Sequence, residues 1–284
     1  MLRRRADLRQ LATVAIYYAL LASMYVVPWC RNLPLLVLAC AFSFLTAVVN
    51  HNNLHQGMFR SRRANAVFRL VLSFAALYPV SANVPAHNLV HHRFEDDGQA
   101  DWADPARVRF RWNLLNLLHF PNVAGPVTFA GVVRWKALRG KSEFRRAYAM
   151  ESAFAFGLTA LLLACDFWTA LFFVVVPQLW GARWFLRINL IQHDGCDLAS
   201  EVNHSRNFVG KVFNFFMMNN GFHTIHHVRA GLHWSELPRA HAAEIAPRID
   251  RRLCERSMAL YLVRTYLLRG RRPGAAGERR VAWE

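Results

Sequence analysis

Nine of the thirteen histidines fall in four places whose spacing suits metal binding. His51-Asn-Asn-Leu-His55 is an HxxxH, His87-Asn-Leu-Val-His91-His92 an HxxxHH, and His223-Thr-Ile-His226-His227 an HxxHH; His193 stands four residues after Asn189. On a helix, residues three or four apart share a face with Cβ atoms about 5–6 Å apart. Two imidazoles so placed can hold one ion, or one ion each of a close pair. A single HxxxH arises by chance on any surface helix; four clusters in one chain carry more weight. A zinc site is satisfied by about four ligands, so nine imidazoles imply two metals, and imidazole suits iron, copper or zinc. His119, His204, His233 and His241 lack ligand spacing and are expected in surface, interfacial or supporting roles. Acidic residues follow two of the clusters: Glu95, Asp96, Asp97, Asp101 and Asp104, then Asp194 and Asp197. Metal-bound imidazoles commonly donate their other N–H to a carboxylate, which is the role expected for some of these. There is no sign of the carboxylate-rich pattern of soluble di-iron bundles, in which Glu residues and paired Glu-x-x-His motifs supply the ligands.

The chain that must position these histidines is both apolar and cationic. Its 284 residues are 54% hydrophobic, yet 35 Lys+Arg face 18 Asp+Glu, a net charge of +17. A disordered polycation would be poor in apolar residues, which leaves a nucleic-acid binder with a large core or a membrane protein with its cations on one side. Apolar runs over about 11–30, 33–50, 149–165 and 167–191 each approach the 20 residues of helix that cross a bilayer. The first two are joined through residues 28–32 and the last two through little more than Asp166, so each pair reads as a hairpin of antiparallel neighbours. Residues 1–30 also resemble a signal peptide, with Arg3, Arg4 and Arg5 ahead of an apolar run, but the run exceeds the 7–15 residues of a signal core.

Four cations precede the first run, fourteen lie in residues 60–146 and fourteen in 206–280, so 32 of 35 share one side; only Arg31, Arg183 and Arg187 do not. By the positive-inside rule that side, with both termini and the histidine clusters, is cytoplasmic. Topology and anionic headgroups then account for the charge, and no nucleic-acid partner is expected. The apolar stretch 70–86 would separate His51/His55 from His87/His91/His92 if it crossed, so with Pro79 and Pro85 in it the stretch is expected to be re-entrant or interfacial. Residues 114–133, with Pro121, Gly125 and Pro126, and residues 208–222 read as further interfacial pieces. The expected fold is an all-α integral membrane protein. It has four transmembrane helices in two hairpins, interfacial helices and a cytoplasmic histidine cap, as one domain over 1–268 with a disordered basic tail over 269–284. Only three of the cations are lysine, Lys136, Lys141 and Lys211, a bias that points to a GC-rich bacterial genome and an inner-membrane location.

These motifs resemble the membrane fatty acid desaturase and hydroxylase superfamily, over about residues 50–241. The resemblance implies a di-iron centre (two Fe2+, with dioxygen as co-substrate) on His51, His55, His87, His91, His92, His193, His223, His226 and His227. Asn189 would approach the metal, and no catalytic residue beyond these is implied. The run Asn219-Asn220-Gly221-Phe222-His223, with His233-Trp234-Ser235-Glu236-Leu237-Pro238 after it, is similar to the family's third-box region. The activity implied is oxidation of an unactivated C–H bond in a fatty acyl or lipid chain carried by CoA, acyl carrier protein or phospholipid, with desaturation the leading reading. Three residues separate His87 from His91 where acyl desaturases often have two, so a lipid hydroxylase or carotenoid ketolase-like oxygenase stays open. No His-Pro-Gly-Gly haem motif and no GxGxxG occurs. Electrons must therefore come from a separate ferredoxin or cytochrome with its reductase, for which the basic surface is a plausible dock. Phe42, Phe44, Phe74 and Trp184 are aromatic candidates for an acyl tunnel, with a lipid-facing or core-packing role as the leading alternative for each. A histidine-rich metal transporter is the outside alternative, but it should carry its histidines or acids within the spans.

Overall fold

The computed structural model describes residues 1–268; the basic tail expected over 269–284 lies outside them. The chain is mostly helical: α1 Leu8–Val26, α2 Leu33–His55, α3 Arg62–Ala76, α4 Asn113–Arg139, α5 Ser142–Cys165, α6 Phe167–His193, α7 Lys211–Phe216, α8 His223–Val228 and α9 Met258–Leu262. Two two-residue strands, β1 Asn207–Phe208 and β2 Cys254–Glu255, pair in parallel. The residues divide into two compact units, one of Met1–Asp96 and Thr128–Phe185, the other of Asp97–Val127 and Leu186 onward.

In the first unit, the sequence accounts for where the long helices start and stop. Asn32 caps α2, its Oδ1 accepting from Leu35 N at 3.0 Å, and the 23 residues that follow reach about 35 Å, more than the bilayer's apolar core. Asp166 is the whole turn between α5 and α6, and its Oδ1 accepts from Thr169 N to cap the second helix. The expected span over 149–165 is preceded by about two more polar turns of the same helix, from Ser142. Its partner runs on past 191 to His193, with a π-helical run at Leu171–Val175. The expected first span is shorter than residues 11–30, because Pro28 opens a 3-10 turn after Val26. With Arg9 and Gln10 in its first turn, α1 is not among the helices apolar enough to cross a membrane; α2, α5 and α6 are. A fourth candidate is the pair Arg62–Ala76 and Val80–Arg93, bent by 93°. This break falls within the stretch expected to be re-entrant: Leu77 takes a left-handed conformation (φ 58°) and Pro79 follows it.

Helix packing here is close. Tyr17, Leu21, Met24, Ala39, Phe74, Ala75 and Val174 form a buried cluster, so Phe74 is core. A side chain at Gly181 would run into Ser43 Oγ and its carbonyl, so glycine is what lets α6 approach α2. Met150, Phe154, Phe156 and Leu161 of α5 remain exposed, as lipid-facing residues should.

In the second unit, residues expected to be broken at Pro121 and Pro126 form instead part of the continuous helix α4. Pro121 has no N–H for the carbonyl four residues back, that of Leu117. Arg187, itself buried, supplies the missing donor: its Nε donates to Leu117 O at 3.1 Å and its Nη2 to Leu118 O at 3.4 Å. The stretch 208–222 is strand, helix α7 and a turn in which Met218 and Asn219 have positive φ (48° and 61°); Val212, Phe215 and Phe216 are exposed on α7.

Candidate metal centre

In the first unit, α2 delivers His51 and His55 from its last turn, while the second limb of the bent pair delivers His87, His91 and His92. That limb is not an α-helix. Val84–Val90 is π-helical and His91–Arg93 continues as a 3-10 turn. A π turn bonds residues five apart, which brings His92 onto His87 with Nε2 atoms 3.2 Å apart. The extra residue in His87-x-x-x-His91-His92 is thus absorbed by the wider turn. His51, His55 and His87 present ring nitrogens that all lie within 4.8 Å of one another, with ring centroids 4.6 Å apart for His51–His87 and 5.1 Å for His55–His87. The His55 and His92 rings approach to 4.8 Å. Phe185 stands beside His51 and His87 at 6.2 and 6.3 Å, and Asn88 Nδ2 donates to Leu54 O, tying the limb to α2.

In the second unit, α6 ends at His193 and the short helix α8 carries His223, His226 and His227. The ring nitrogens of His193, His223 and His227 again lie within 4.8 Å of one another. The Nε2 atoms of His193 and His223 are 2.9 Å apart, and those of His227 and His223 3.2 Å. Two ligand nitrogens at right angles, each about 2.1 Å from one ion, would stand about 3.0 Å apart. His193 Nδ1 is 2.9 Å from the His204 carbonyl. A carbonyl can only accept, so the proton sits on Nδ1 and the Nε2 lone pair faces the other imidazoles. His91 and His226 are buried as well.

Polar side chains hold α8 in place. Asn207 Nδ2 donates to Thr224 Oγ1 at 2.7 Å, and its Oδ1 accepts from Thr224 N at 3.1 Å. Asn214 donates to Phe208 O at 2.6 Å and to Gly210 O, and accepts from Gly221 N. Gly221 is required there, since a Cβ would meet Phe208 O and the Asn214 amide. Gln192 Nε2 donates to Asn220 O at 3.0 Å. Sequence reasoning missed this framework, as it missed the His204 carbonyl and Arg187. Their signals were faint: a glycine two residues before His223, and asparagines in an apolar segment.

The Asn189 Nδ2 donates to Ala103 O at 2.9 Å, which leaves its Oδ1 as the atom suited to a metal. Among the acids that follow the clusters, Asp101, Asp104 and Asp197 accept the N–H two residues on and shape turns; Asp96 pairs with Arg134 at 2.9 Å. His233 accepts from Ser235 N as a helix cap, and His119 lies 3.4 Å from Asn122 Nδ2.

The donor set fits a nitrogen-ligated transition metal such as iron: buried imidazoles converge in both units with spacing suited to ion coordination. No curated protein and no solved structure matches the chain. The family model described as fatty acid desaturase matches residues 28–257, about four fifths of the sequence, and that span contains every histidine of the four clusters. The chain belongs to the fatty acid desaturase family.

Proposed function

We propose that the protein is a membrane di-iron oxidoreductase that desaturates a fatty acyl chain. The observation that carries this reading is the pair of converging imidazole sets, His51/His55/His87 and His193/His223/His227, in a chain of this family. His91, His92, His226 and Asn189 are the further ligands in this proposal. Two bound ferrous ions with dioxygen would supply the oxidising power to remove hydrogen from an unactivated C–H bond. The protein's own residues hold that chemistry in place: the His204 carbonyl fixes the tautomer of His193, the Asn207–Thr224 pair fixes α8, and Phe185 shields His51 and His87. The balance is simple: the chain loses two hydrogens, dioxygen becomes two waters, and a ferredoxin or cytochrome supplies two electrons, with two protons from water.

The same reading pairs α1, although it is less apolar than α2, α5 and α6, with α2 as one membrane hairpin, and makes α5 and α6 the other. Both termini and the histidines then face the cytoplasm of a bacterial inner membrane, and residues 1–268 act as one catalytic domain. Desaturation is the leading reading, with lipid hydroxylation and carotenoid ketolase-like oxygenation as the alternatives at the same histidine sets. Expression in a host of defined lipid profile, with mass spectrometry of acyl products, tests this: a loss of two hydrogens is expected, and a gain of one oxygen would replace desaturation with hydroxylation. Metal analysis of the purified protein should return about two irons per chain. One exchangeable zinc would overturn the di-iron centre.

A further inference from the structure

Glu151 is a carboxylate placed where a membrane helix should not carry one. It lies on α5 and is 2% exposed, in a segment otherwise apolar enough to cross a bilayer. A buried charge of this kind is costly unless paired and hydrogen-bonded. Both of its oxygens are used, and on two different elements. Oε1 accepts from Arg69 Nε at 3.0 Å, on α3, and Oε2 accepts from Ser81 N at 2.8 Å, in the 3-10 turn Val80–Ala82. These are the two limbs of the pair that bends by 93°. The neighbouring contacts complete the corner: Ser73 Oγ accepts from Val80 N at 3.1 Å, and Gln178 Nε2 donates to Phe74 O at 2.6 Å, both buried. Glu151 thus sets its charge at the N-terminal end of the second limb, on the buried Ser81 N–H, where backbone donors favour an anion.

We propose that Glu151 is a positioning residue: it fixes the angle at which the second limb presents His87, His91 and His92. This rests on the reading of those histidines as metal ligands. The lever makes the role sensitive. Ser81 precedes His87 by six residues, about 9 Å along the limb with the steeper rise of its 3-10 turn and the shallower rise of its π turn, so a tilt of about 10° would carry His87 by about 1.5 Å. Metal–ligand distances tolerate about 0.2 Å.

The test uses the full chain in detergent. Nitroxides on Arg93→Cys and Phe156→Cys, with the five native cysteines replaced by serine, report the angle of the limb without any metal. Glu151→Ala should broaden and shift their distance distribution, and Glu151→Asp should restore most of it; an unchanged distribution with Glu151→Ala overturns the proposal. Iron(II) titration is the second measurement. Glu151→Ala should weaken binding at least about tenfold, as the loss of a ligand-orienting partner does. The double variant Arg69→Met/Glu151→Leu replaces the ion pair with apolar side chains and should recover thermal stability without recovering iron affinity. Iron affinity that returns together with stability would make the pair merely structural and overturn the proposal. A wild-type protein that takes up no iron would defeat the metal reading itself, and the nitroxide distances would still decide whether Glu151 sets the limb.

Discussion

The two histidine sets are built by different means. In the first unit, His51 and His55 come from the last turn of the long apolar helix α2, set by packing such as the glycine-tight contact at Gly181, and His87 comes from the short second limb of the bent pair, beside Phe185 and tied by Asn88 and Glu151. In the second, His193, His223 and His227 come from the end of one helix and a helix of six residues, held by amides and hydroxyls from Asn207, Asn214, Gln192 and Thr224. The difference follows from the surroundings. Helices in a bilayer satisfy their own backbone and need only shape to place a side chain. A short helix in an irregular segment has unpaired N–H and C=O groups that other residues must meet.

The largest effect should come from the ligands and should be equal on the two sides. His87→Ala and His223→Ala should each lower product formation by more than about 100-fold, beyond the loss of a supporting partner, with the protein still inserted; acyl products measured by mass spectrometry decide this. Activity retained in one variant would confine the chemistry to the other set. Below that, the two modes of construction should separate. Asn214→Ala strips partners from Phe208 O, Gly210 O and Gly221 N and should cost about 3 kcal/mol. Gly181→Val should force α6 from α2 and cost about 2 kcal/mol. Thermal unfolding in detergent measures both. If Asn214→Ala proves neutral while Gly181→Val does not, packing governs both regions and the contrast falls. The smallest effect is expected from His204→Ala. The carbonyl that orients His193 belongs to the main chain and survives the substitution, so iron affinity should change by less than about threefold, well short of what loss of an orienting partner costs. A larger drop, read by titration, would make the His204 ring itself a ligand.

Much of the first unit was legible in the sequence. Hydropathy located α2, α5 and α6, and the single-residue turn at Asp166 followed from the two runs that meet there. The break in 70–86 was legible as well, from Pro79 and from the requirement that the histidines stay on one side. The α1 reading overshot: the run to Cys30 was apolar, but Pro28 governs the backbone there, and Arg9 and Gln10 lower the helix's apolar content. Pro121 and Pro126 misled in the other direction, because a proline's cost depends on what meets the freed carbonyl. At Pro121, Arg187 meets it from 70 residues away in sequence.

The sequence by itself determined composition, charge asymmetry, the apolar helices and the identity of the histidine clusters, since hydropathy and residue chemistry are carried by each residue wherever it lies. The tertiary structure decided which nitrogens converge, that the second cluster rides on a π turn, that the His204 main chain orients His193, and that Glu151 ties two limbs together. Apart from the π turn, which is local, each of these depends on a hydrogen bond or a close approach between residues that are not neighbours in the chain. No local pattern encodes a contact whose two halves are written tens of residues apart.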